Sequence, residues 1–171
     1  MSSFRSRFRL PRGRQSSLRM QSQERVWHIF HPHPDHPIVI AEFGDAAMLA
    51  IDVVDTPAER EVLVLLDEQR HVTAMLLDPP GELGLLVGMF TGPGLEVPFC
   101  QTIDILIDPF GLAPGAPTDD DRRGYDSLRA IHMLHGLLLL DVLRTDGDSV
   151  RSLAIGCDPD PVWFDEFHPA A

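Results

Sequence analysis

Residues 102–155, TIDILIDPFGLAPGAPTDDDRRGYDSLRAIHMLHGLLLLDVLRTDGDSVRSLAI, leave the chain few folds to choose from. The apolar run over 102–107 predicts a strand. Asp108-Pro109 ends it, because a proline and the residue before it resist continued pairing. After a Gly/Pro loop, Thr118 predicts a helix N-cap, and Asp121 three residues on completes a capping box. Asp119, Asp120 and Asp121 also set negative charge at the positive end of the helix dipole. Tyr125, Leu128, Ile131 and Leu134 or His135 recur at helical spacing, so one face is apolar. Gly136 supplies a left-handed stop. The run 137–143 predicts a buried strand, Asp146-Gly147 a turn, and 149–155 a strand returning beside it. This order predicts an α/β (α+β) fold with a mixed central sheet, one main capped helix over about 119–135 and at least one smaller helix.

Upstream, 26–30 predicts a short strand. Residues 38–43 and 46–54 read as two strands of a hairpin about Gly44-Asp45. Thr56-Pro57 breaks that pattern, and Thr56 with Glu59 suits the cap of a helical turn. The continuous apolar runs 61–66 and 71–77 predict a second, buried hairpin, with His71 as a solvated strand end. Asp78-Pro79-Pro80-Gly81 is a firm break, and 82–90 predicts a short buried helix that Thr91-Gly92-Pro93-Gly94 ends. None of these glycines forms G-x-G-x-x-G or a P-loop, so no phosphate cradle is expected. Met75, Met89 and Met133 read as core filler.

The chain has 171 residues and a net charge of −12, and the charge is divided. Residues 1–25 hold seven arginines and one glutamate, a balance of +6, and the remainder carries −18. An acidic body repels phosphate, so nucleic acid is disfavoured as its partner. The domain reading is therefore an Arg-rich, disordered leader over 1–25, one globular domain over 26–155, and an acidic, aromatic tail over 156–171. The leader's alternatives are a basic arm for RNA or anionic lipid, a transit peptide, or a natural start at Met20. In the tail, Trp163, Phe164 and Phe167 dock on the body or offer a patch to a partner. Cys100 and Cys157 are the only cysteines, which suits reduced thiols in the cytoplasm. No apolar run reaches the roughly 20 residues of a membrane helix. The absence of lysine fits the codon bias of a GC-rich bacterial genome.

His31-Pro32-His33-Pro34-Asp35-His36 satisfies H-x-H-x-D-H, the metal-binding signature of the metallo-β-lactamase family. Imidazoles and a carboxylate at this spacing suit zinc or iron. The context differs from that family, since only about 30 residues precede the motif and a strand is expected after it. Alternating prolines also make an extended loop by themselves. We read the match as chance, with a metal-dependent hydrolase built on His31, His33, Asp35 and His36 as the alternative.

Three stretches over 59–155 resemble the RadC-type branch of the JAB/MPN metallohydrolase superfamily. EREVLVLLDEQRHVTAMLL is similar to the family's opening hairpin. GLLLLD from Gly136 to Asp141, then Gly147 and Ser152-Leu153, resembles its closing strand, turn and Ser-Leu pair. A strand, a Pro/Gly loop and a helix opening on aspartate lie between them. The resemblance implies a zinc held by H-x-H-x10-D before a proline. Anchored on Pro109, those positions fall on Leu106, Asp108 and Asp119, so only the last matches. The loop serine of the stricter motif falls on Ala116. The general-base glutamate has no counterpart, because 71–77 contains none and Glu68 and Glu82 lie outside it.

Water-activating zinc needs three protein ligands and an open position. Leucine donates nothing, and two aspartates alone favour a weak hard-cation site. The acidic run 119–121 is read as a cap rather than a magnesium site. His132 and His135 are read as core or boundary residues. No Ser/His/Asp or Cys/His arrangement is supported by spacing. The expectation is a pseudoenzyme: a non-catalytic RadC/JAB-like domain without a cofactor, acting as a cytoplasmic protein-binding or scaffold module.

Overall fold

The computed structural model describes residues 14–19, 26–33, 35–56, 58, 60–79, 99–112 and 116–157. Its strands are β1 (Arg14–Arg19), β2 (Val26–His31), β3 (Glu61–Leu66), β4 (Val72–Leu77), β5 (Gln101–Ile107), β6 (Leu138–Thr145) and β7 (Val150–Ser152). Its helices are α1 (Phe43–Asp52), α2 (Asp119–Leu134) and α3 (Leu153–Cys157), with a 3-10 turn over Val53–Asp55 after α1. The strands form one mixed sheet in the order β1-β2-β4-β3-β5-β6-β7. Every named pairing is antiparallel except β5 with β6. Parallel neighbours need a crossover, and α2 is carried on it. The α/β expectation, with one main capped helix and smaller ones, holds.

The sheet is covered on both faces. On one, α1 lays Ala46, Leu49 and Ala50 on Val62, Val64, Leu66, Met75, Ile103, Ile105 and Leu143. On the other, Tyr125 of α2 and Leu153 and Ala154 of α3 pack on Leu139 and Val142, with Leu106 and Leu128 beside them. Burial of every residue of β3 and β4 except the half-buried Glu61 and Thr73 explains why both read as apolar runs.

The α2 cap forms as expected. The Asp121 amide donates to Thr118 Oγ1 at 3.2 Å, and Asp121 Oδ2 accepts the Thr118 amide at 2.8 Å. Gly136 follows the helix with φ +71°, a conformation that glycine adopts freely.

Met133, read as core filler, is 66% exposed near the end of α2, and three expected elements fail. Residues 43–52 are a helix, not part of a hairpin: Ala46, Leu49, Ala50 and Val53 recur at 3.6-residue spacing and are all buried. Asp45 Oδ2 accepts the Ala41 and Glu42 amides at 2.9 and 3.1 Å and fixes the start of that helix. The 38–43 run keeps only its first half as extended chain, through a bridge from Val39 to His71. The strand expected to continue to residue 155 stops at Ser152. There the Ser152 hydroxyl accepts the Ile155 amide at 2.9 Å and opens α3. Arg14–Arg19, inside the stretch read as a disordered leader, form β1 and pair with the whole of β2. The leader reading does not hold for these six residues, because a neighbouring strand satisfies the backbone groups that local pattern left open.

The expected helix over 82–90 and the tail beyond residue 157 lie outside the described residues. Among the described residues, no helix is long and apolar enough to cross a membrane.

Candidate functional site

The positions suggested by the family motif gather where β5 and β6 end and α2 begins. Parallel register sets Leu106 beside Arg144. Asp108 closes the strand pair through its amide, which donates to Thr145 O at 2.7 Å. Arg144 Nη2 then donates to Asp108 Oδ2 at 2.6 Å and Nη1 to Asp121 Oδ1 at 3.3 Å. One guanidinium thus ties two strand ends to the helix cap. The Thr118 backbone and hydroxyl, more than Arg144 or Arg151, hold the Asp121 carboxyl below the usual carboxylate range.

The three motif positions do not share a centre. Leu106 packs on the apolar side of α2. Asp108 is committed to Arg144. Asp119 lies exposed on the first helical turn, and the carboxylate that joins Asp108 is Asp121 instead. These residues do not fit a zinc ion: one offers no donor atom, and one is already bonded to a cation that carries no exchangeable water. Sequence reasoning missed Arg144. Its signal was a lone basic residue in the run LLLLDVLRT, but its partners lie 36 and 23 residues away.

The histidine loop behaves differently. His31, at the end of β2, turns Nδ1 toward Thr73 O at 3.4 Å. His33 Nδ1 accepts the Asp35 amide at 3.2 Å, and the His33 and His36 rings lie 5.8 Å apart. His33 Nδ1 is 3.6 Å from Asp35 Oδ2. So His33, Asp35 and His36 are neighbours while His31 is directed at β4. Among the described residues, no group of three or more His, Cys, Asp or Glu side chains is placed to hold a metal ion. His71 is held by Asp67, which accepts its amide at 2.8 Å and meets its ring nitrogen at 3.1 Å.

A second acidic centre escaped sequence reasoning altogether. Register sets Leu63 against Asp104 and Glu61 against Leu106, so Glu61 and Asp104 are diagonal neighbours on one face of the sheet. Their side chains share a hydrogen bond. Burial, reinforced by Glu61, pushes the Asp104 carboxyl well above the usual range, and burial also pushes Glu61 up.

Other buried polar groups have structural roles. Asp141 accepts Ser152 Oγ at 2.6 Å and the Ala154 amide at 3.0 Å, fixing α3 to the sheet. His132 is buried with Nδ1 2.8 Å from Leu128 O, and burial lowers its pKa. Cys100 and Cys157 are free thiols, and burial raises the pKa of both, which leaves neither activated as a thiolate.

No protein-family model, no curated protein and no solved structure matches the chain.

Proposed function

We propose that the chain is a non-catalytic, RadC-like relative of the JAB/MPN metallohydrolases that acts as a protein-binding or scaffold module in the bacterial cytoplasm. The observation that carries this reading is the Arg144 guanidinium, bonded to Asp108 and Asp121 beside Leu106. At the strand end where the motif calls for a metal, charge is balanced by a side chain that cannot ionise a water molecule. Surface supports the binding role. Along the last turns of α2, Ile131, Met133 and Leu134 are exposed, the last at 84%. Large apolar side chains grouped on a surface mark interaction sites. The two unpaired thiols suit a reducing compartment.

The experiment is a zinc-supplemented peptidase assay with metal analysis, on protein purified without a histidine tag. We expect no hydrolysis and no stoichiometric metal. Zinc-dependent activity that vanishes in Leu106→Ala and Asp108→Ala overturns the proposal. Stoichiometric zinc or iron lost in His31→Ala and His33→Ala overturns it in favour of a hydrolase at the histidine loop. For the binding role, a photo-crosslinker at Leu134 should trap one dominant protein in cells, and Met133→Asp should abolish the adduct. Adducts indifferent to Met133→Asp count against a specific module.

A further inference from the structure

α3 ends at Cys157 against one flank of α2. A methyl at Gly156 would meet the Pro117 ring just before that helix, and Cys157 packs against the cluster that holds Tyr125. Besides burial, the charges acting on the Cys157 thiol include Arg122 and Asp126. These two are four residues apart, so they share a side of α2. The same side continues from Asp126 through Ala130 to Met133 and Leu134, four, seven and eight residues on. All three are exposed. The chain therefore leaves α3 at the root of an apolar strip.

Beyond Cys157 the sequence runs DPDPVWFDEFHPAA. Pro159 and Pro161 favour extended chain over its first residues. At about 3.3–3.6 Å per residue, Trp163 can stand up to about 20 Å from Cys157. Met133 and Leu134 lie about 11–12 Å along α2 from Asp126. Trp163 and Phe164 thus reach the strip without full extension. Charge agrees. Asp158 and Asp160 leave α3 beside Arg122, and beyond the acidic first turn Arg122 and Arg129 outweigh Asp126 on that side. A second copy is the poorer occupant. A standard interface buries about 800 Å² on each partner, more than three side chains supply. Two bodies that each carry −18 over residues 26–171 also repel.

We propose that the aromatic stretch 163–167 docks on Ala130, Met133 and Leu134 of its own chain. The short tether keeps the aromatics at an effective concentration in the mM range, so a contact of modest strength holds the face occupied. An outside protein that uses this face must displace the tail. The docking needs only this surface, and that consequence rests on the binding role proposed above.

The test places a photo-crosslinker at Leu134 in the purified full chain, away from any cellular protein. We expect one dominant adduct, within a single chain, to a peptide from residues 158–171. Trp163→Ser with Phe164→Ser should lower its yield about tenfold or more, as loss of buried aromatic surface requires. Met133→Asp, at an exposed position that folding tolerates, should do the same. An adduct to any other stretch of the chain overturns the proposal, as does no adduct or a yield indifferent to these substitutions. Mixing isotopically labelled with unlabelled chain identifies the copies, and adducts that join the two labels make a second copy the occupant and overturn it. A tail adduct in purified protein with no partner adduct in cells leaves this inference standing and refutes the binding role alone. The reverse result refutes this inference alone.

Discussion

Replacing Arg144 with methionine removes a side chain that ties the ends of β5 and β6 to the cap of α2. Methionine keeps the stem's packing and deletes the guanidinium, so the measured change isolates two charged hydrogen bonds. The Arg144, Asp108 and Asp121 side chains are 32%, 20% and 19% exposed. The 3–5 kcal/mol typical of breaking a deeply buried pair is therefore too much, and the fraction of a kcal/mol typical of a surface pair too little. With one bond at 2.6 Å and a weaker one at 3.3 Å, a loss of about 2 kcal/mol is expected. For a chain of this size that lowers the melting temperature by about 4–8 °C. Urea unfolding should show a lower midpoint at unchanged slope. The cause is checked by a double-mutant cycle: once Asp108 is asparagine, Arg144→Met should cost clearly less. A loss below about 0.5 kcal/mol, or full additivity in the cycle, refutes the clamp.

Asp104, raised by burial and by Glu61, makes folding favour its protonated form. That contribution is fully present below the ordinary carboxylate pKa and is lost as pH rises through the folded value. Asp104→Asn should flatten the dependence and be the more stable form at neutral pH, read as urea midpoint against pH. Asp146 has the opposite sign. The Ser149, Asp148 and Leu112 amides hold its pKa at about 2. Its contribution is present above the ordinary carboxylate value and is lost as pH falls toward about 2, a slope that Asp146→Ala should abolish between pH 4 and 2. Gly156→Ala would set a methyl 2.9 Å from Pro117 Cδ and closer still to Cγ. The displaced ring adjoins the Thr118 cap, so a loss of about 1–3 kcal/mol is expected by thermal denaturation.

What the sequence made legible was local. The α2 cap, the Gly136 stop and the β3–β4 hairpin each depend on residues within a few positions, and all were found. α1 was missed although its period was present, because Gly44-Asp45 between two apolar runs resembles a hairpin turn. β1 was missed because RQSSLR has no apolar alternation and acquires structure only from β2. The two ionic centres were illegible for a stronger reason. Glu61 and Asp104 are 43 positions apart and meet only if β3 pairs with β5 in one register. Arg144 finds Asp108 only through the parallel pairing of β5 with β6. Composition records such charges without saying which will face each other.

The parallel boundary between β5 and β6, alone of its kind among the described residues, bears on how the molecule assembles. On one side, β3 and β4 meet across a turn of five residues, and on the other β6 and β7 close over four. Each can zip up early, whereas β6 can reach β5 only after some thirty intervening residues have looped out and come home. Joining these two halves is the closure that costs most chain entropy among these three pairings, and α2 rides on the segment that has to close.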